Sequence, residues 1–356
     1  MDRLQRTDPS DDAAPPRGAT AVYDDIARRV KKIVGALGFG TSHQEPSGQG
    51  AGEIQQSAVV LDKKTIEAYY GGFCNDCIWP LFHYFTSLVA YDDGYYESYC
   101  TANRLFAEKI AAIAEPGDFI WVHDYQLMML PGMLRERMPD AQIAFFLHIP
   151  FPAFDVFRTL PRRWREEILR GVLGADLVGF HTFDYSQNFL RSVSRLLGNE
   201  ITMNAVVTDD RVVRVDAFPL GIDYEKFNRA ATESPEVAEK KRAITEMLSG
   251  TKLIFSVDRL DYTKGLLQRL EAYEYFLNVF PEWIGKIVFN MVVIPSRDTI
   301  PHYQNMKREI EAAVGRINGA FSTMAWRPIV YQYKSLSFPE LVALYDASHV
   351  GLIRQR

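Results

Sequence analysis

Leu253-Ile254-Phe255-Ser256-Val257-Asp258-Arg259-Leu260-Asp261-Tyr262-Thr263-Lys264-Gly265 is the stretch that decides how the rest of the chain is read. Leu253 to Val257 is a short apolar run without polar alternation, the pattern of a strand covered on both faces, as in a parallel sheet. A polar turn and a glycine follow, and Leu266 to Phe280 then carries helical spacing. Strand, polar loop and helix in that order are the parts of a right-handed βαβ crossover. Ligands of such sheets sit beyond the carboxyl ends of the strands, where Arg259 and Lys264 project. A forked donor, a point charge and the free N–H groups of a helix start together suit a diphosphate. The G-x-x-x-x-G-K-[ST] pattern of a Walker loop occurs nowhere in the chain. Phosphate binding without ATP hydrolysis is the reading that follows.

The same pattern recurs on both sides of this stretch. Strands are predicted at Phe119 to His123, Ile143 to Ile149, Leu177 to His181 and Val212 to Phe218, and then at Ile287 to Ile294, Ile329 to Tyr331 and Val350 to Ile353. Helical stretches lie between them, at Leu160 to Leu173, Tyr185 to Leu197, His302 to Ile317 and Pro339 to Ala347. The expected fold is α/β: two Rossmann-like, doubly wound domains joined around Pro219-Leu220-Gly221, with a cleft between them. Residues 57–220 form the first domain and residues 221–356 the second. Residues 1–56 read as an irregular N-terminal segment: a polar head, a short basic helix candidate at Ala21 to Leu37, then a Gly/Ser/Gln-rich linker from Gly38 to Gln56. Gly35, Gly38 and Gly40 do not follow the G-x-G-x-x-G order of a dinucleotide fingerprint.

Composition narrows the function classes. The chain has 356 residues, 47% of them hydrophobic and 24% charged, which suits a globular protein with a real core. Its 40 basic and 45 acidic residues give a net charge of -5, so nucleic acid is not expected as a partner, and a bound phosphate needs a local cluster of cations. No apolar stretch reaches the length of a membrane span, and Met1 to Gly18 has no apolar h-region, so a cytoplasmic location is expected. Cys74, Cys77 and Cys100 are too few for a disulfide framework. Cys74 and Cys77 form a C-x-x-C inside a helical, aromatic-rich stretch with no second ligand pair. They read as packed thiols rather than as a zinc or redox site.

Four polar clusters stand at the ends of apolar strand runs: His123-Asp124-Tyr125 after Phe119 to Val122, His148 to Pro152 after Ile143 to Leu147, Asp258 to Gly265 after Leu253 to Val257, and Pro295-Ser296-Arg297 after Ile287 to Ile294. Singly, each reads as helix caps and solvated loop charges. Together, at equivalent sheet ends, they point to one ligand site. In this order the chain also carries Tyr69-Tyr70-Gly71-Gly72-Phe73, Trp79-Pro80-Leu81-Phe82-His83-Tyr84, Val122-His123-Asp124-Tyr125-Gln126-Leu127, Gly179-Phe180-His181-Thr182, and Phe218-Pro219-Leu220-Gly221-Ile222-Asp223. With Ser256 to Gly265 and the two remaining clusters, this series resembles the trehalose-6-phosphate synthases from about Ser57 to about Ile353.

The resemblance implies a GT-B fold and a retaining transfer of glucose from UDP-glucose to glucose-6-phosphate, with no cofactor and no required metal. It places Tyr70, Trp79, Asp124 and Arg297 on the acceptor, with Arg297 near its phosphate. His148 falls near the transferred glucose, and Arg259 and Lys264 on the donor diphosphate. It leaves open a homo-oligomer or association with other synthase or phosphatase subunits. Two departures stand out. The family's first strand, with an Arg and a Gly-rich loop, has no match before Ser57. Its donor-gripping Asp-Gly-Met-Asn segment and returning C-terminal helix have none after Ile353. The chain is therefore expected to be truncated at both ends, with little or no turnover alone. Two alternatives keep the fold: a non-catalytic or regulatory synthase paralogue, and a glucosylglycerol-phosphate synthase.

Overall fold

The computed structural model describes residues 57–296 and 301–353, together with the backbone of residues 32–33 and 55–56. The chain divides into two compact units, residues 1–220 and residues 221–356.

In the first unit, Lys32–Ile33 (β1) and Gln55–Gln56 (β2) pair in parallel. This corrects two readings, a helix across Ala21 to Leu37 and an irregular run to Gln56. The stretch Val30 to Val34 carries three β-branched residues, which suit an extended backbone better than a helix. The rest of the helix candidate and the glycines of the linker lie outside the described residues.

The main sheet of this unit comprises Phe119–His123 (β3), Gln142–Phe146 (β4), Leu177–Phe180 (β5), Ile201–Thr202 (β6), Ala205–Val207 (β7) and Val212–Ala217 (β8). Their order is β3-β4-β5-β8-β7-β6. β3, β4, β5 and β8 are mutually parallel, while β6, β7 and β8 pair antiparallel. The antiparallel addition was not foreseen, because strands of two and three residues show no readable periodicity. β4 ends at Phe146, short of the expected Ile149, since Pro150 and Pro152 have no N–H to donate to a ladder.

Four helices cover the sheet: Asp93–Ile113 (α1), Leu130–Arg137 (α2), Arg162–Val172 (α3) and Phe183–Leu197 (α4). Asp92 caps α1 by accepting the Tyr95 N–H, and Thr182 caps α4 by accepting that of Tyr185. Aromatic rings fill the core. Phe73, Tyr96 and Trp164 interlock, with Tyr96 stacked on Trp164 at 5.0 Å.

The second unit opens with two helices, Tyr224–Glu233 (α5) and Pro235–Leu248 (α6). Strands and helices then alternate: Lys252–Arg259 (β9), Leu266–Val279 (α7), Ile287–Ile294 (β10), Pro301–Phe321 (α8), Ile329–Tyr333 (β11), Phe338–Ala347 (α9) and Val350–Gly351 (β12). The sheet order is β11-β10-β9-β12, parallel throughout. β10 is buried along nearly its whole length, which is why its sequence is an unbroken apolar run. Both units are thus of the expected α/β class, with the parallel strands aimed in one direction within each sheet. Among the described residues, no helix is long and apolar enough to cross a membrane.

Candidate functional site

The register of the first sheet lines up the residues that follow its strands. His123 lies opposite Phe146, and Phe146 opposite Gly179. Asp124, His148 and His181 therefore come out side by side. Gly179 is a glycine for a steric reason: a Cβ there would stand 2.6 Å from Cδ2 of Phe146. The Phe146 ring packs in turn against His148 and His181, at 4.8 and 5.1 Å between ring centres.

Asp124 sits at φ 71° and ψ 171°. Almost only glycine adopts that region, and a side chain held there costs about 1–3 kcal/mol. Three hydrogen bonds hold it. The Asp124 N–H donates to the Phe146 carbonyl at 2.7 Å. Its Oδ1 accepts the N–H of Tyr125 at 3.0 Å and that of His148 at 3.2 Å. Withdrawal from water raises the Asp124 pKa above the usual carboxylate value, outweighing those two donors and the nearby His148 and His181. A strained backbone and a desolvated carboxylate at one residue are the marks of a functional position rather than of a simple cap.

Three histidines surround this carboxylate. Nδ1 of His123 lies 3.0 Å from Nε2 of His148, with the rings stacked at 5.2 Å. His181 meets His148 edge-on at 5.5 Å. His123 is pushed down to about 4, first by desolvation of a ring packed on Trp121 and then by its electrostatic interaction with His148. His181 is also lowered, by desolvation and then by His148. A neutral His123 leaves one proton for the contact with His148, so the pair fixes which nitrogen of His148 is engaged.

Tyr70 and Trp79 reach the same region through an unusual helical stretch. Lys63–Ile66 is α-helical, Glu67–Ile78 is π-helical and Trp79–Phe82 is again α-helical. The Trp79 N–H donates to Cys74 five residues back, the wider π-type step. The Ala90 N–H donates to the Asp76 carbonyl at 2.8 Å and ties the loop after this stretch back to it. Asn75 ties the group together. Its Nδ2 donates to the Tyr70 carbonyl at 2.6 Å, and its Oδ1 accepts the Tyr125 hydroxyl at 3.4 Å. Trp79 lies between the rings of His83 and Tyr125, at 4.2 and 5.6 Å, and keeps 7% of its surface exposed. It offers a ligand an edge rather than a whole face. Cys74, Cys77 and Cys100 are all buried thiols.

In the second unit, β9 ends at Arg259 and a short turn, Tyr262–Lys264, leads to α7. The Leu260 N–H donates to the Ile294 carbonyl at 2.9 Å, tying the loop to β10. Asp261 is buried and accepts the Thr263 N–H at 2.9 Å. Gly265, at φ 61°, takes the left-handed conformation that lets the turn enter the helix. Arg259 is exposed and Lys264 half-buried. Among the described residues neither makes a side-chain hydrogen bond or an ion pair. Two uncommitted cations thus stand at the start of a helix, the arrangement that suits an anion.

The structure brings Asp124 and His148 into direct contact and places Trp79 beside Tyr125, with Tyr70 linked through Asn75. Arg259 and Lys264 share the β9–α7 loop of the second unit. Arg297 lies outside the described residues. Sequence reading did not single out Asn75 or Arg269, nor give His181 a role. Arg269 left one legible signal: a cation in the first turn of a helix, against the dipole, needs a nearby carboxylate. Among the described residues, no group of three or more His, Cys, Asp or Glu is placed to hold a metal ion.

Comparison with known proteins gives the chain its family. The model for glycosyltransferase family 20 matches residues 17–355. The bifunctional trehalose-6-phosphate synthase/phosphatase of Thermoproteus tenax is 47% identical over 295 residues, covering 83% of this chain and 40% of that protein. A UDP-forming α,α-trehalose-phosphate synthase of Aspergillus niger is 46% identical over 306 residues, covering 85% of this chain and 63% of its own length. The chain therefore spans between about two fifths and two thirds of these relatives. Among solved structures, a UDP-forming α,α-trehalose-phosphate synthase of Burkholderia xenovorans in complex with glucose-6-phosphate superposes with a TM-score of 0.84. It is 31% identical, and the match covers 96% of this chain and 76% of that one.

Proposed function

Because the chain belongs to glycosyltransferase family 20, we propose that it serves the transfer of glucose from UDP-glucose to glucose-6-phosphate, with retention, in cytoplasmic trehalose biosynthesis. The observation that carries this reading is the uncommitted pair Arg259 and Lys264 at the start of α7. As the bond between the glucose anomeric carbon and the UDP oxygen breaks, negative charge grows on the phosphates. A fixed cationic pair stabilises that charge more in the transition state than in the ground state.

The first unit supplies the acceptor side. Tyr70 and the exposed edge of Trp79 line the acceptor sugar. The Asp124 carboxylate accepts from sugar hydroxyls, orienting the acceptor rather than taking its proton. His148, held by His123, meets the transferred glucose. The acceptor oxygen attacks from the face the leaving group vacates, and its proton passes to the departing phosphate oxygen. The glycosidic bond forms as the donor bond breaks, so atoms and charge balance without a covalent enzyme intermediate.

The test is to incubate the purified chain with UDP-glucose and glucose-6-phosphate and follow release of UDP and appearance of trehalose-6-phosphate. UDP release that requires both substrates supports the reading and overturns the expectation of little or no turnover by this chain alone. Release with glycerol-3-phosphate in place of glucose-6-phosphate would transfer the chain to a glucosylglycerol-phosphate synthase. Binding of glucose-6-phosphate by a chain that does not bind UDP would make it a non-catalytic sugar-phosphate-binding paralogue.

A further inference from the structure

Arg269 occupies the first turn of α7 and is buried, with 5% of its surface exposed. Its Nη1 lies 2.6 Å from Oδ2 of Asp258, the residue before Arg259. Its Nη2 donates to the carbonyl of Lys264 at 3.1 Å, and its backbone N–H donates to the Gly265 carbonyl at 3.1 Å. One buried guanidinium therefore grips both ends of the segment that carries the two uncommitted cations. Nε and Nη1 make no hydrogen bond, so Asp258 is held by charge alone while Nη2 carries the directional contact. A buried guanidinium with unspent donors adds little to stability, because desolvation offsets its ion pair. Its placement is better explained by what it holds.

We infer that Arg269 is a positioning residue for anion binding by the β9–α7 loop, acting in two ways through Asp258 and Lys264. It fixes the Lys264 backbone, and so the direction in which the ammonium leaves the loop. It also neutralises Asp258. Left without Arg269, that carboxylate remains as an uncompensated charge at the end of β9, next to Arg259 in sequence, where it opposes the binding of phosphate. The inference rests on the proposed reading of the loop as a diphosphate site.

Calorimetric titration with UDP and with UMP separates the cases, with thermal unfolding of each variant recorded alongside. In Arg269→Gln the affinity for UDP is expected to fall roughly ten- to a hundred-fold, and that for UMP by much less, so the UDP/UMP ratio collapses. In Asp258→Asn/Arg269→Gln, with the opposing charge removed, part of the UDP affinity returns. A purely structural role would lower the unfolding temperature of both variants and leave the ratio unchanged. Should Arg269→Gln fail to fold, Arg269→Lys retains the charge but not the bidentate reach, and a reduced UDP/UMP ratio is again expected. A folded Arg269 variant with the parental ratio overturns the inference alone. A folded parent chain that binds neither nucleotide overturns the diphosphate reading itself, and the inference with it.

Discussion

The strand ends of the two units hold their polar groups in opposite ways. In the first unit they hold one another: Asp124 is bonded to the backbone of Tyr125 and His148, and His148 to His123. In the second unit, Arg259 and Lys264 make no side-chain bond among the described residues, while the loop beneath them is pinned by Asp258, Asp261 and Arg269. A site that reads neutral hydroxyls gains from groups whose direction is fixed by their neighbours. A site that receives phosphate charge gains from cations that no carboxylate has already taken. On the proposed reading, preorganisation falls on the site's own side chains in the first unit and on their scaffold in the second.

Mutations can break that contrast. The largest effect is expected for Gly179→Ala, because its Cβ would stand 2.6 Å from a buried Phe146 ring carbon. Denaturant unfolding of the first unit should lose about 1–3 kcal/mol. Next comes Asp124, where two substitutions are informative. Asp124→Gly relieves the strained backbone and Asp124→Ala does not, so the glycine variant should be the more stable by about 1–2 kcal/mol. Equal stability would mean that the backbone conformation is not what the surrounding bonds maintain.

A smaller effect is expected from pH. His123 has a folded-state pKa of about 4 against an ordinary value of 6.5. The unfolded chain therefore binds more protons between those values, and stability should fall as pH drops from about 6.5 towards 4. His123→Gln should flatten that part of a plot of stability against pH. The smallest effect is expected for Lys264→Ala. A cation with no partner contributes little to folding, so the change in stability should stay within about 0.5 kcal/mol. A large loss would erase the difference between the two units.

Much of the fold was legible because parallel strands buried on both faces leave unbroken apolar runs, as at Ile287 to Ile294. Short antiparallel strands such as Ile201–Thr202 and Ala205–Val207 leave no such trace. The extended pair at Lys32–Ile33 hid within a basic stretch that reads as a helix on charge alone. At the candidate site, Asp124, His148, Arg259 and Lys264 drew notice because they cluster at or just beyond strand ends. The strain at Asp124 was not, since nothing in the residue type announces a positive φ. Arg269 and Asn75 act through backbone carbonyls, and sequence spacing does not reveal which carbonyl a side chain will meet.

The most direct measurement is a calorimetric titration of UDP into the parent chain and into Arg259→Ala, with unfolding midpoints recorded for both. The expected result is UDP binding by the parent and a loss of about 10- to 100-fold in the variant, the equivalent of one charge-assisted contact to phosphate, at an unchanged midpoint. Equal UDP affinity in the two chains, or no UDP binding by a folded parent, would contradict the assignment of the β9–α7 loop as the diphosphate site.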